Sequence, residues 1–400
     1  MPSISPSSSK PSQNPSTAPT TSRPSLTPSN SPTTPRPSLT PSKFRPIVPA
    51  ISAGGHHTCA IISGGAVQCW GDNEYGEIGD GTSGTNRLTP KQVSGLTSGV
   101  QLIAAGDSHT CALLTGAVKC WGSNYYGEVG DGTSFNNVLT PSQVSGLTTG
   151  VQSIAAGYLH TCALLTTGAV QCWGFNNNGQ IGDGTTNDRI TPTQVSGLTS
   201  GVQWISVGSS HTCAILATGA VQCWGDNNDG QLGDGTTNER LTPTQVSSLT
   251  SGVQSIACAY EHTCALLTTG AVQCWGSNVF GQIGDNTTIT RLTPTQVLGL
   301  ASGVQSIGVG SSHTCAILSG GAAKCWGYNG DGEVGDGTSG TNSLTPTQVL
   351  GLTSGVQSIS AGASHTCALL TTDVIKCWGD NYYGEIGDGT RTNRLTPVTV

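Results

Sequence analysis

Apolar and polar residues alternate along this chain in short runs bounded by glycine, and the runs come in a fixed order. One complete unit opens with Val151-Gln-Ser-Ile-Ala-Ala156 and continues through His160-Thr-Cys-Ala-Leu-Leu-Thr-Thr-Gly-Ala-Val-Gln-Cys-Trp-Gly174. It closes with Thr191-Pro-Thr-Gln-Val195. A period of two over four to six residues is the pattern of a strand, and it predicts four of them. Strand A is read over Val151–Ala156, B over Thr161–Leu165, C over Ala169–Trp173 and D over Pro192–Val195. The phrase around His160 recurs with its His at 57, 109, 160, 211, 262, 313 and 365, so the period is 51 or 52 residues. Four strands per unit, seven times, predict an all-β fold: a seven-bladed β-propeller of four-stranded antiparallel blades.

Details of the pattern sharpen that expectation. A proline opens every strand D, at 90, 141, 192, 243, 294, 346 and 397, which marks D as the outer edge of its blade. Ile, Val and Leu occupy successive positions, as expected where both faces of a blade pack on neighbours. The His-to-Trp spacing is 13 residues, or 12 in the second unit, so no loop exceeds its siblings by more than one residue. The seventh unit has its own strand D, and Pro46-Ile-Val48 is too short to replace one. Blade 1 is therefore expected to pack directly on blade 7.

Composition separates a second region. Thirteen of the 20 prolines precede residue 50, and Arg-Pro-Ser-Leu-Thr-Pro-Ser occurs at 23–29 and again at 36–42. Residues 1–44 bury too little apolar surface to offset their ordering entropy, so they read as a disordered Pro/Ser/Thr-rich stalk or linker, a plausible substrate for O-glycosylation. The propeller takes residues 45–400. The first residues have no apolar core of a signal peptide; a start further upstream, or another route, is expected. The net charge of −7 conceals an asymmetry. The first 50 residues carry five cations and no acid, leaving ten cations against 22 carboxylates in the rest. An acidic propeller gives no support to nucleic-acid binding. No apolar run approaches 18 residues, so no membrane insertion is expected.

The motifs carry a family resemblance. Gly54-x-x-His-Thr-x-Ala-Ile61, followed by Trp70-Gly-x-Asn-x-x-Gly-Glu-Ile-Gly79, resembles the regulator of chromosome condensation repeat. The resemblance covers residues 47–400 and recurs in all seven units. It implies a seven-bladed propeller, and a family that includes guanine-nucleotide exchange factors, lipid- and chromatin-associated proteins and enzyme inhibitors. Fold alone does not choose among these.

Fourteen of the 15 cysteines form pairs that the resemblance does not require. They are Cys59 with Cys69, Cys111 with Cys120, Cys162 with Cys172, Cys213 with Cys223, Cys264 with Cys274, Cys315 with Cys325, and Cys367 with Cys377. Placing Cys59 opposite Cys69 leaves the three-residue turn Ser63-Gly64-Gly65. Placing Cys111 opposite Cys120 leaves the two-residue turn Thr115-Gly116. Both are favoured hairpin connections, so the pairs face each other across strands B and C at about 4.5–5.5 Å between Cα atoms. Seven disulfides within blades are expected, and with them an oxidising, extracellular or cell-surface location. Two alternatives stand beside this: reduced cysteines packing as small hydrophobes, and a metal held by His57, Cys59 and Cys69. Cys258 reads as a buried small residue.

Little else suggests chemistry. The seven His occupy one structural position, where hydrogen bonding to the A–B loop is expected. Asp80-Gly-Thr82 and its counterparts read as turns. Nucleophile, phosphate-loop and zinc motifs are absent, and no cofactor is expected. Asn286-Thr-Thr288 is an N-glycosylation sequon. The B–C and D–A connections are nearly identical in every unit, whereas the A–B and C–D loops at the other end differ. Ten of the chain's 12 Tyr and Phe lie at that variable end: Tyr75, Tyr125, Tyr126, Tyr158, Phe175, Tyr260, Phe280, Tyr328, Tyr382 and Tyr383. Tyr among Asn, Ser, Gly and Asp is the composition of a recognition surface. The expectation is a monomeric, non-enzymatic module binding a protein or glycan there. The alternatives are a cytoplasmic or nuclear exchange factor or chromatin regulator, and a structural cell-wall protein.

Overall fold

The computed structural model describes residues 51–400, so the segment read over residues 1–44 lies outside the described residues. Seven four-stranded antiparallel sheets follow one another, each ordered A-B-C-D. In blade 3 the strands are A Val151–Ala156, B His160–Leu165, C Val170–Gly174 and D Arg189–Gln194. The A strands of neighbouring blades contact one another around the axis, which leaves D outermost. Blade 1 runs from Ile51 and contributes all four of its own strands, so the ring closes on blade 7 without strand exchange.

Strand D departs from the sequence reading. It begins three residues before its proline, at Arg189 rather than Pro192. Gly174 faces Arg189 while Cys172 faces Thr193, so Trp173 alone stands against Ile190, Thr191 and Pro192. A bulge of this kind removes the ladder position that would need a proline N–H.

The Cys register is as the turn lengths require. Cys213 lies directly opposite Cys223, and Cys111 opposite Cys120 despite the shorter turn. The same opposition brings Cys264 to Cys274, Cys315 to Cys325 and Cys367 to Cys377 in blades 5, 6 and 7. All seven disulfides form: Cys59 to Cys69, Cys111 to Cys120, Cys162 to Cys172 and Cys213 to Cys223 in the first four blades. Cys264 to Cys274, Cys315 to Cys325 and Cys367 to Cys377 complete the set. The Cα atoms of each pair are 4.1 Å apart, slightly closer than the distance expected for opposed strand residues. The bridged cysteines are fully buried and belong to the cores between blades. Between blades 4 and 5, Cys213, Cys223, Val221 and Leu232 pack against Ile256, Ala265 and Trp275 of the next blade. Burying one such Trp contributes roughly 4–6 kcal/mol before entropy is subtracted. Glycine makes this closeness possible: at Gly182 (φ 77°) a Cβ would lie 2.5 Å from Nε1 of Trp224.

Candidate recognition surface

The variable end stands on a framework of hydrogen bonds between blades. Nε2 of His57 meets Oγ1 of Thr110, on the next blade, at 2.8 Å. Thr110 donates to the backbone carbonyl of Glu77, which also accepts from Nε1 of Trp121 at 2.7 Å. A threonine has one hydroxyl proton, here committed to the carbonyl, so the histidine must donate from Nε2. The relay repeats at every boundary and crosses the seam, where His365 meets Thr58 and Trp70 donates to Glu385. This corrects the expectation that the histidines serve the A–B loop. Six of their partners lie about one period away, on the next blade, and the seventh pair, His365 with Thr58, meets only because the ring closes. Burial pushes the histidine pKa values down, to about 3 for His57 and about 4 for His109, so the rings stay neutral in ordinary buffers.

A second device fixes each C–D loop. In blade 4, Oδ1 of Asn227 accepts from the Leu232 N–H at 3.0 Å, and its Nδ2 donates to the carbonyls of Thr236 and Asn238. Gln231 accepts the N–H of Asp229. One buried asparagine thus ties both ends of the loop, and the two residues after it project from a rigid platform.

These projecting positions divide by exposure. Tyr75, Tyr125, Tyr158, Tyr260 and Tyr382 are exposed. Tyr126, Phe175, Phe280, Tyr328 and Tyr383 are half-buried and pack across blade boundaries. Tyr126 lies 4.7 Å from Phe175, Phe280 5.0 Å from Tyr328, and Tyr383 5.0 Å from His56, measured between ring centres. At Tyr126, Phe280 and Tyr383 the second residue of the pair fills the groove beside its blade, whereas Tyr75, second in blade 1, is exposed; the first, as with Tyr125 and Tyr382, faces outward.

One residue of this surface escaped the sequence reading. Phe135 is 74% exposed and has a φ of 60°. It stands 4.8 Å from Tyr125, which in turn meets Tyr126, so four rings form a ridge ending on Phe175. Strands C and D of blade 2 are longer than in other blades, Ala117–Asn124 and Asn136–Gln143, and lift the ridge. A bulky side chain in left-handed backbone costs about 1–3 kcal/mol and is concentrated at functional sites. Phe135 follows the Asp131-Gly-Thr133 turn, away from the two variable positions after Trp-Gly-x-Asn.

The charge at this end is lopsided. Asp72, Glu74, Asp107, Asp226, Asp229, Glu261, Asp331 and Asp380 all lie in A–B or C–D loops. Five arginines are committed to the turns of the C–D loops: Arg87 holds Asp80 at 2.6 Å, and Arg189, Arg240 and Arg394 repeat the pair at Asp-Gly-Thr turns, Arg291 at the Asp285-Asn-Thr turn. Burial pushes the Asp80 carboxyl up, but bonds from Thr82 and Arg87 outweigh it and hold the group below the usual range. The carboxyls without such partners go the other way: burial raises Asp107, Asp229 and Asp380. At the seam, His56 lies 3.5 Å from Glu385, and the hydrogen bond to that carboxylate raises its pKa.

The metal alternative fails on sulfur chemistry. Cys59 and Cys69 are bonded to each other, leaving no thiolate for His57 to share. His211, Cys213 and Cys258 also approach one another. There, Cys213 is in a disulfide, and burial pushes the Cys258 thiol up to about 12. Cys258 is a buried small residue, as read from the sequence.

A closed ring of seven blades with a repeated framework and non-repeated loops defines a seven-bladed β-propeller. The chain belongs to the RCC1-like domain family, whose model matches residues 25–368, with a further regulator of chromosome condensation (RCC1) repeat match at 356–385. It is 32% identical over 360 residues to the ultraviolet-B receptor UVR8 of Arabidopsis thaliana, covering 88% of this chain and 81% of that protein. It is 30% identical over 338 residues to the human E3 ubiquitin-protein ligase HERC2; the match takes in 82% of this chain and 7% of HERC2. The crystal structure of Prp20p from Saccharomyces cerevisiae has the same fold. Its TM-score is 0.76 at 22% identity, covering 85% of this chain and 87% of that one.

Proposed function

We propose that this chain is a non-enzymatic binding module, acting outside the cell or on its surface, that recognises a protein or glycan through its A–B and C–D loops. One observation carries the reading. Buried asparagines and the His–Thr–Trp relay hold every loop alike, yet the residues left projecting, Tyr125, Phe135 and Tyr382 above all, differ from blade to blade and face solvent. Rigid Tyr side chains give large contact area at low entropic cost. The location rests on the seven disulfides, since paired cysteines at this density belong to oxidising compartments. Asn286, exposed in the C–D loop of blade 5 with a φ of 64°, presents its sequon for glycosylation.

The second reading, an exchange factor or chromatin regulator, draws on Prp20p, whose structure is titled with its binding properties to Gsp1p and histones. At 22% identity that likeness concerns the fold. The uniform loops of this chain offer no protruding element for exchange.

The test is a screen of the full oxidised chain against arrayed peptides and glycans, repeated with Tyr125→Ser and Tyr382→Ser together. Binding should fall at least ~10-fold with the melting temperature unchanged. Retained binding, or a large loss of stability, sinks the assignment of this face. Non-reducing mass spectrometry checks the location separately, because 14 free thiols in native material would remove its basis.

A further inference from the structure

The axis of the ring opens at the variable end into a recess of about 100 Å³. Its wall is a belt in which, in every blade but the fifth, the second residue of the A–B loop donates to the first residue of the next blade's A–B loop. The Gly55 N–H reaches the Gly106 carbonyl at 3.0 Å, and Ser209 reaches Ala259 at 3.0 Å. Glycine at the belt is a steric necessity: at Gly208 a Cβ would lie 2.3 Å from the Ala259 carbonyl oxygen. Blade 5 breaks the rule, with Ala259 in place of glycine. Ala259 carries a Cβ at this crowded point, and the bond from Tyr260 N–H to the Gly310 carbonyl is not made. Among the described residues that carbonyl has no other donor.

Three further groups face the same space. Tyr158 and Tyr260, from blades 3 and 5, meet edge to face across blade 4, with ring centres 5.9 Å apart. Asp107 lies on the wall at blade 2, its Oδ2 taking a bond from Ser108 and its Oδ1 resting against Gly55. None of the lining residues is basic. Resting on the proposed binding role, we infer that this recess seats a cationic side chain, the guanidinium or ammonium of an Arg or Lys on a peptide partner. Asp107 supplies the opposite charge, Tyr158 and Tyr260 offer their ring faces, and the Gly310 carbonyl accepts a hydrogen bond. Ring faces attract cations most where water is partly excluded, as in a recess. Burial pushes the Asp107 carboxyl up in the free protein, and a cation beside it reverses that push.

The test titrates the full oxidised chain with acetyl-Gly-Gly-Arg-Gly-Gly-amide, followed by ligand-observed NMR. The same peptide with citrulline, which keeps the shape and loses the charge, is the control. The inference expects saturable binding of the Arg peptide, weakened at least ~10-fold by citrulline and at least ~5-fold by Asp107→Asn. Tyr158→Ser with Tyr260→Ser should weaken it similarly, while Tyr158→Phe with Tyr260→Phe, which keeps the rings, should not. Equal binding of both peptides, or no saturation below about 10 mM, overturns the inference. Binding of a glucosamine hexamer in place of the peptide overturns the peptide assignment. Tyr125→Ser with Tyr382→Ser lies outside the recess and separates the two readings. Partners from the array lost on that variant but kept on Asp107→Asn leave the face standing and remove the cation seat.

Discussion

The two ends of the propeller are held equally firmly but built to different ends. At the uniform end, a single glutamine ties each D–A connection. Nε2 of Gln245 reaches the carbonyls of Val221, Val246 and Leu249 at 2.9–3.0 Å, and Gln92, Gln143, Gln194, Gln296 and Gln348 do the same in their blades. At the variable end, Asn227 and its counterparts play the corresponding part through backbone groups of the loop, and make no use of the two variable side chains. Rigidity is therefore not what distinguishes the ends. The uniform end uses Ser, Thr, Gly and Leu that close on themselves, whereas the variable end exposes rings and carboxylates that the framework does not need.

The largest expected effect is acid sensitivity confined to one end. The seven buried histidines have pKa values lowered from 6.5 to about 3 or 4. Unfolded histidines take up protons below pH 6.5, so the stability these groups contribute is complete above 6.5 and is lost as pH falls toward 3–4. Three buried glutamates oppose this. Glu77, Glu128 and Glu333 are raised to about 8, 7 and 7, so their contribution favours the folded state below 4.5 and fades as pH rises to 7–8. Seven groups outweigh three, and stability should fall between pH 6.5 and 4.5. Hydrogen exchange should show protection lost first at the A–B and C–D loops, because the D–A connections hold no titrating group. Equal loss at both ends would dissolve the distinction.

Smaller effects come from single substitutions. Trp224→Ala empties the core between blades 3 and 4 and removes the bond to the Gln180 carbonyl. It should cost about 3–5 kcal/mol in denaturant unfolding. Gln245→Ala leaves three carbonyls without their shared donor and should cost about 1–2 kcal/mol. Tyr382→Ser, at 64% exposure, should change stability by less than about 0.5 kcal/mol. A cost near that of Gln245→Ala would mean Tyr382 belongs to the framework.

The fold was legible because one unit is written seven times, and the disulfides because a lost turn residue in blade 2 preserved the opposition of Cys111 and Cys120. What could not be read was whatever depends on the ring itself. His57 and Thr110 are 53 residues apart, and nothing local says they touch. The start of strand D was missed because the bulge at Trp173 hides three residues from the alternation. Arg87 and Asp80 bond within the irregular C–D loop of blade 1, where no alternation marks them. The candidate surface was visible as a bias toward Tyr, but its division was not: whether Tyr125 or Tyr126 faces outward is settled by the groove beside the next blade. Phe135 stood in a loop whose counterparts carry no aromatic residue.

The relay that joins neighbours has a consequence for how such a molecule changes over generations. Each blade offers a histidine and a backbone carbonyl to the next, and receives the same through its own threonine and tryptophan. So far as this relay is concerned, any copy fits beside any other. A duplicated or exchanged unit inherits a working joint on both sides, and brings with it only a new pair of residues for the outer loops. The molecule behaves as a set of interchangeable cassettes, in which innovation at the surface needs no renegotiation inside.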